Sequence, residues 1–441
     1  MILTRTCFFH RISCLHSNSF IEVNNIKYKK DFRTNVTPKI LELTKRSLLN
    51  HKNHPLFFLK DRINRYFQSK YPYKRTNNDP FFNLWDNLSP VVTLDQNFDS
   101  LLVSKDHISR SSSDTFYLNE NHLLRSHTSA HQAELIRNGL DSFLICGDVY
   151  RRDEINRTHY PVFHQLEGVR LFNQESLFKK AKDHGKCLKL FEKEISDQDL
   201  EILTKSEDLP SDGQPYHSYE TRIILEHNLK TILEGLVEKL FQKKIKMRWI
   251  DTYFPFTHPS WELEILEENG NWLEVLGCGI MRQEILAKNG VSNKVGWAFG
   301  IGLERIAMHL FSIPDIRLFW STDPSFHSQF PIEKVDENIK FKLLSSYPPC
   351  PYDVSFWLSD SSVDIKDFSS DVYDVIREVG DDLVERVHLK DDYFDKKSNR
   401  RSLCFTVTYR SYERTLTHFE MNQIHKKIED CLVKKFSVQI R

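Results

Sequence analysis

The stretch Gly147 to Phe172, GDVYRRDEINRTHYPVFHQLEGVRLF, constrains the fold more than any other because it reads as strand, polar loop, strand. Its first arm runs from Phe143 to Tyr150 and its second from Pro161 to Phe172. The polar loop between them is longer than a tight turn. Side chains of a strand alternate between its two faces. Phe163, Gln165, Glu167 and Val169 therefore share one face, and Val162, Leu166 and Phe172 share the other. An aromatic ring, an amide and a carboxylate above an apolar back make the floor of a polar site; an edge hairpin with one wet face is the alternative.

A chain of 441 residues with 40% apolar content has room for about three domains and for a sizeable core. No run approaches the roughly 18 apolar residues that a membrane-spanning helix needs, so no membrane partner is expected. Sixty-one basic and 61 acidic residues cancel. Contact with a nucleic acid must then come from local patches. One such patch runs from Lys27 to Arg75, with fourteen Lys or Arg against three Asp or Glu. The eight cysteines form no CxxC pair and no Cys/His cluster of zinc spacing, which points to a reducing compartment and no zinc. Arg5, Arg11 and several serines precede the first acid, Glu22, so residues 1–25 read as a mitochondrial presequence.

Residues 26–80 form a basic N-terminal region with two helical patterns, Pro38 to Leu49 after Thr37 and Leu56 to Phe67 after Pro55. Their basic faces suit either solvent or RNA phosphates. In LLRSHTSAHQAEL, Thr128 or Ser129 could cap a helix and leave backbone N–H groups facing an anion. His127 and His131 lack a third ligand of the HExxH kind, which argues against a metal there. The polar segment from Asn173 to Tyr219 reads as a peripheral insertion, and Ile223 to Phe241 as an amphipathic helix. Trp261 to Ile265 alternates and leads through a Glu-Asn-Gly-Asn turn into WLEVLGCGIM, a hairpin. Phe254 and Phe256 flank Pro255 in what reads as an extended segment; their rings then face one side, either as core or as a slot for a flat apolar group.

In GWAFGIGLERIAMHLF the period changes from strand to helix at the glycines, and Gly300 and Gly302 admit close approach to the backbone. Arg305 sits in the first helical turn, where a cation opposes the macrodipole, so an anionic partner is expected. From Tyr347 onward the order strand, helix, two strands, helix suggests a ferredoxin-like α+β domain at 347–441, after a linker at 331–346. Lys390, Lys396, Lys397, Arg400, Arg401, Arg410 and Arg414 lie near Tyr393, Phe394, Tyr409 and Tyr412. Cations beside rings suit a single-stranded RNA loop.

Taken in order, SPVVTLDQNFDSLL, HTSAHQ, GDVYRRD, HYPVFHQLEGVRLF, YFPFTHPS, WLEVLGCG, GWAFGIGLER and IPDIRLFW resemble the single-chain mitochondrial phenylalanyl-tRNA synthetases, a branch of the class II aminoacyl-tRNA synthetases. The likeness runs from about residue 35 to the end. It departs at Ile108, where the family usually has proline.

The resemblance implies an α+β fold, with an antiparallel class II sheet flanked by helices at 81–330 and a ferredoxin-like anticodon-binding domain behind it. It implies ATP and Mg2+, with phenylalanine and tRNA(Phe) as the other substrates, in a monomer of the mitochondrial matrix. Arg151 would brace the α-phosphate and Arg305 the γ-phosphate. Asp153 stands where the wider class has Glu. Ser129, Ala130, His131, Gln132, Gln165, Leu166 and Glu167 would hold the amino acid's polar end, and Thr158, His159 and Tyr160 would close over ATP. Phe163 would stack on adenine. Phe254 and Phe256 would clasp the phenyl ring, with Ala298 setting the pocket depth and Phe299 lining it. Glu274 would touch substrate or Mg2+. Removal of 347–441 should weaken tRNA charging far more than adenylate formation.

Overall fold

A computed structural model describes residues 19–72, 81–179, 188–192, 213–342, 347–360, 362–411 and 414–441. Most of the expected presequence, Lys74, Arg75, most of the polar insertion and Tyr412 lie outside the described residues.

Seven strands form the central sheet, in the spatial order Asn83–Trp85, Ser142–Tyr150, Val162–Phe172, Val295–Gly302, Trp272–Met281, Thr257–Leu266 and Met247–Phe254. The expected hairpin is its second and third strands, with Tyr150 opposite Val162 and Phe143 opposite Val169. The sheet is mixed and not wholly antiparallel, because the edge strand Asn83–Trp85 pairs parallel with Ser142–Tyr150. On the apolar back lie the helices Pro55–Lys70, Tyr219–Phe241 and Leu303–Phe311. Tyr219–Phe241 starts four residues earlier than its apolar spacing suggests, because Ser218 caps it by accepting from the Thr221 N–H at 3.1 Å. Its Leu225, Leu229, Leu233, Leu236 and Leu240 are buried in the same core as Leu166 and Phe172. Each such side chain contributes about 1.5–3 kcal/mol.

The second helix of the basic N-terminal region pairs most of its cations within the fold, whereas Lys27, Lys29, Lys30, Lys45 and Lys52 of the same region are exposed. The region's first helix stops at Leu43 and is followed by a 3-10 turn, Leu48–Asn50; its second, Pro55–Lys70, buries Leu56, Phe58, Leu59, Ile63 and Phe67 in the main core. The cations on that helix are used internally. Lys60 Nζ donates to Asp86 at 2.7 Å and Asn50 at 3.0 Å, and Arg62 donates to the carbonyls of Val335 and Glu337 at 2.5 Å each. Arg65 bonds Asp61 and Asp336. RNA phosphates would have to break these contacts, so this helix braces the sheet instead. The expected linker is likewise packed down: Phe341 donates its N–H to the Phe311 carbonyl at 2.6 Å and stacks on Phe330.

The C-terminal unit has a four-stranded antiparallel sheet ordered Val384–Asp395, Arg400–Tyr409, Cys350–Trp357 and Gln439–Ile440, with helices Ile365–Gly380 and His418–Phe436. The order expected from sequence is present, with a last short strand added. Val354, Phe356, Phe405, Val407, Ile376 and Ile428 form its own core.

Candidate functional site

Directly paired residues of an antiparallel sheet point to the same face, so the register lays out the site floor. Glu167 pairs with Gly300, Gly300 with Gly277, and Gly277 with Glu262. Two carboxylates thus stand at the ends of a row whose middle is glycine. Beside it runs the row Val169, Ala298, Gly279, Ser260. A Cβ built on Gly300 or Gly302 meets no atom within 4 Å, so the approach expected at these glycines opens onto a cavity of about 800 Å³. That size suits a small-molecule site.

At one end of the cavity Glu167 is 3% exposed and accepts from Thr128 Oγ1 at 3.1 Å, Ser129 Oγ at 2.5 Å and Gln132 Nε2 at 2.5 Å. Burial outweighs these bonds and pushes its pKa up to about 7. Thr128 and Ser129 are therefore not helix caps: their hydroxyls turn onto Glu167, and the turn Thr128–His131 has no side-chain cap. The Thr128 N–H instead meets Gln165 Oε1 at 3.3 Å. Ser129, Gln132, Gln165 and Glu167 all line the cavity; Ala130, His131 and Leu166 are not among the lining residues. Ala130 packs with Phe98 and Leu101, and Leu166 lies on the back face in the core, as alternation requires. His131 Nε2 takes a hydrogen bond from Arg125 Nη1 at 3.0 Å, and burial, then Arg125, hold its pKa down to about 3. It is a neutral structural acceptor. Burial first, then Arg151, lowers His127 to about 3 as well.

The opposite end is built for anions. Arg151 follows the first hairpin strand, donates from Nε to the Ser126 carbonyl at 3.0 Å, and lies 5.1 Å over the Phe163 ring. The anionic partner expected for Arg305 is Glu274, whose Oε2 accepts from Nη1 at 2.8 Å. Glu262 lies close by; burial, then the Glu274 charge, holds it above the usual carboxylate range. Two neighbouring carboxylates beside an arginine fit Mg2+, which takes few protein ligands and completes its shell with water and phosphate oxygens. Asp153, Thr158, His159 and Tyr160 also line this end, and the Asn156 side chain turns the loop by accepting the N–H groups of Thr158 and His159 at 2.9 Å each. Ile108, in a 3-10 turn capped by His107, is at the mouth.

Sequence reasoning missed Glu304. Its carboxylate accepts from the His164 backbone N–H at 2.8 Å and meets Nδ1 at 2.6 Å, pinning the start of the Arg305 helix to the floor strand. Glu262 was visible as part of the alternation at 261–265, but nothing local set it apart from Glu264.

The expected extended segment is interrupted: Phe254 ends one strand, Pro255 and Phe256 make a hairpin turn, and the next strand begins at Thr257. The rings of Phe254 and Phe256 are parallel within 11°, with centroids 5.9 Å apart. They form a two-ring platform bordering the cavity. Gly277 makes room for Phe254, whose Cζ would lie 2.7 Å from a Cβ there. Ala298 shares the site face, but the neighbouring Phe299 points its ring the other way and stacks on Phe67 at 5.4 Å. Phe299 is nonetheless among the residues that line the cavity.

On the C-terminal sheet, Arg400 and Arg441 lie 4.9 and 5.3 Å over Trp357, and Tyr393 meets it edge-on. Lys390 is instead paired with Asp353, Arg401 with Asp392, and Arg410 with Glu385.

Residues 41–206 and 218–330 match the family model "tRNA synthetases class II core domain (F)", and residues 345–441 match "Ferredoxin-fold anticodon binding domain". The chain is 49% identical over 426 residues to a probable mitochondrial phenylalanine–tRNA ligase of Drosophila melanogaster, covering 96% of this chain and 92% of that one. It is 45% identical to the mitochondrial enzyme of Mus musculus over 96% of this chain and 89% of that one. To that of Saccharomyces cerevisiae it is 40% identical over 100% and 99%.

Proposed function

Because the chain belongs to the phenylalanine–tRNA ligase family of class II aminoacyl-tRNA synthetases, we propose that its cavity joins phenylalanine to ATP and then passes the aminoacyl group to tRNA(Phe). Mitochondrial translation is the setting. The matrix as compartment, residues 1–25 as presequence and a single chain as working unit belong to the same reading. Among the described residues no helix is long and apolar enough to cross a membrane.

The observation that carries this reading is the placement of Arg151, Arg305 and Glu167 on one cavity with the two-ring platform. Glu167, with Gln165, Ser129 and Gln132, takes the amino acid's ammonium. The phenyl ring then lies against Phe254 and Phe256 above Ala298. Adenine stacks on Phe163. The substrate carboxylate attacks the α-phosphorus as the bond to pyrophosphate breaks, and Arg151 neutralises charge growing on the α-phosphate. Arg305 holds the γ-phosphate end of the leaving group. No general base is needed, since the nucleophile is already ionised; the protein positions and neutralises. Glu274 and Glu262 would hold magnesium, which would supply further charge neutralisation on the phosphates. The C-terminal sheet around Trp357, Arg400 and Tyr393 stacks and pairs with the anticodon loop.

Recombinant protein should catalyse phenylalanine-dependent exchange of pyrophosphate into ATP and charge tRNA(Phe). A chain that binds tRNA but exchanges nothing would be a catalytically silent synthetase-like protein, and exchange with another amino acid alone would reassign the pocket.

A further inference from the structure

The loop joining the two floor strands is anchored largely outside the catalytic domain. Arg152 donates to Asp374 at 3.0 Å through Nε and to Asp371 at 2.9 Å through Nη2. Arg377 donates to Asp374 Oδ1 at 2.9 Å and to the carbonyl of Asp153 at 3.0 Å. Arg157 Nε reaches Glu385 at 2.6 Å, and the Tyr160 hydroxyl donates to Asp382 at 3.2 Å. The Val387 N–H bonds the Ile155 carbonyl at 2.9 Å, while the Ile155 side chain is buried in the C-terminal domain's own core. Every partner from 371 onward belongs to that domain.

The same domain reaches the cavity itself. Lys366, on the first turn of the helix Ile365–Gly380, is among the lining residues and lies 3.6 Å from Asp114. That pair is long, with the lysine 59% and the aspartate 29% exposed, so solvent screens it and an incoming phosphate oxygen can displace Asp114 at little cost. Acidic side chains outnumber cationic ones around the cavity, and a polyphosphate adds several more negative charges. A third cation beside Arg151 and Arg305 answers that imbalance.

We propose that the C-terminal domain completes the nucleotide site: Asp374, Arg377 and Glu385 are positioning residues that set the loop carrying Thr158, His159 and Tyr160 over ATP, and Lys366 contacts its phosphates. This rests on the ligase reading of the cavity. It runs against the expectation from sequence that removal of 347–441 weakens tRNA charging far more than adenylate formation, because adenylate formation, which involves no RNA, then depends on the domain. Ordering a loop from a second domain is a positioning effect: it raises the fraction of bound ATP in the reactive geometry.

The test uses the full chain in phenylalanine-dependent pyrophosphate exchange without tRNA. Lys366→Met and Arg157→Ala alter side chains that are more than half exposed, so both variants should fold, with melting temperatures near that of the unaltered chain. Each should raise the KM for ATP at least fivefold and leave the KM for phenylalanine within twofold. Arg157→Lys, which keeps a cation for Glu385, should recover much of the loss, an outcome that a general folding defect would not give. Wild-type KM for ATP in both variants would overturn the proposal, and in one of them would remove that residue's part in it. Failure of the unaltered chain to exchange at all would instead remove the ligase reading, and this inference with it.

Discussion

Glu167 offers the sharpest test of the amino-acid end. Burial holds its pKa near 7, so in the free enzyme it is about half protonated at neutral pH. A substrate ammonium needs the carboxylate. As pH falls through 7 the binding-competent fraction shrinks, and kcat/KM for phenylalanine should fall roughly fivefold from pH 7 to pH 6, approaching tenfold per unit below that. Glu167→Gln removes the charge without disrupting packing, because the structure already holds the compensating group. Gln132 Oε1 is buried and has no hydrogen-bond partner. A flip of the Gln132 amide lets that oxygen accept from the new NH2, while Thr128 and Ser129 still donate to the remaining oxygen. Melting temperature should shift by no more than a few degrees. The lost charge-assisted bond to the ammonium is worth about 1.5–3 kcal/mol, a drop in kcat/KM for phenylalanine of roughly 10- to 150-fold. The assay is pyrophosphate exchange at varied phenylalanine between pH 5.5 and pH 8.5 (about three units, centred on the expected pKa). A variant within about threefold of wild type, or one that keeps the break near pH 7, would show that Glu167 does not hold the ammonium.

Ala298→Gly removes a methyl from the site face beside the ring platform, and should admit para-substituted phenylalanines by roughly tenfold in kcat/KM; an unchanged substrate range in exchange assays would clear Ala298 of this role. Gly300→Ala and Gly168→Ala should separate activity from stability. The first adds a methyl into open cavity and should cut exchange with little change in melting temperature, whereas the second drives a methyl into the Phe299 ring and should cost about 1–3 kcal/mol in chemical denaturation. Chelating magnesium should abolish exchange and readdition restore it, and Glu274→Ala should raise the magnesium concentration for half-maximal rate.

Much of the site was legible because strand alternation and the glycine pattern are local properties. The face carrying Phe163, Gln165 and Glu167 follows from a period of two, and so does the open floor at Gly300 and Gly302. Where local signals were ambiguous the reading slipped. Pro255 suits an extended edge as well as the second position of a turn, and no Asn-Gly or Asp-Gly pair marked the hairpin at Phe254–Thr257. Basic residues of the Pro55–Lys70 helix looked like surface because their partners lie far away in sequence; Arg62 bonds a carbonyl 273 residues on. The contacts that fix the floor loop span from 219 residues (Arg152 to Asp371) to 232 (Ile155 to Val387, 387 − 155), and nothing in either segment signals the other.

Glu304 and Arg305 show what a local reading can and cannot supply. As neighbours in sequence they look like a self-neutralising pair at a helix start, with the acid favoured and the base disfavoured by the macrodipole. Adjacent helical residues do not face each other, however, so neither can satisfy the other. Glu304 is 3% exposed and turned back onto His164; Arg305 is half exposed and turned toward the cavity. The buried acid fixes the helix against the strand that carries Gln165 and Glu167, which gives Arg305 a fixed origin from which to reach a phosphate. Its pairing with Glu274 involves two side chains each about half exposed, a partnership that solvent already weakens and that a nucleotide can take over. The cost inferred at Arg305 from sequence is thus the cost of holding a cation in reserve, and Glu304, which carries none of the chemistry, fixes its position.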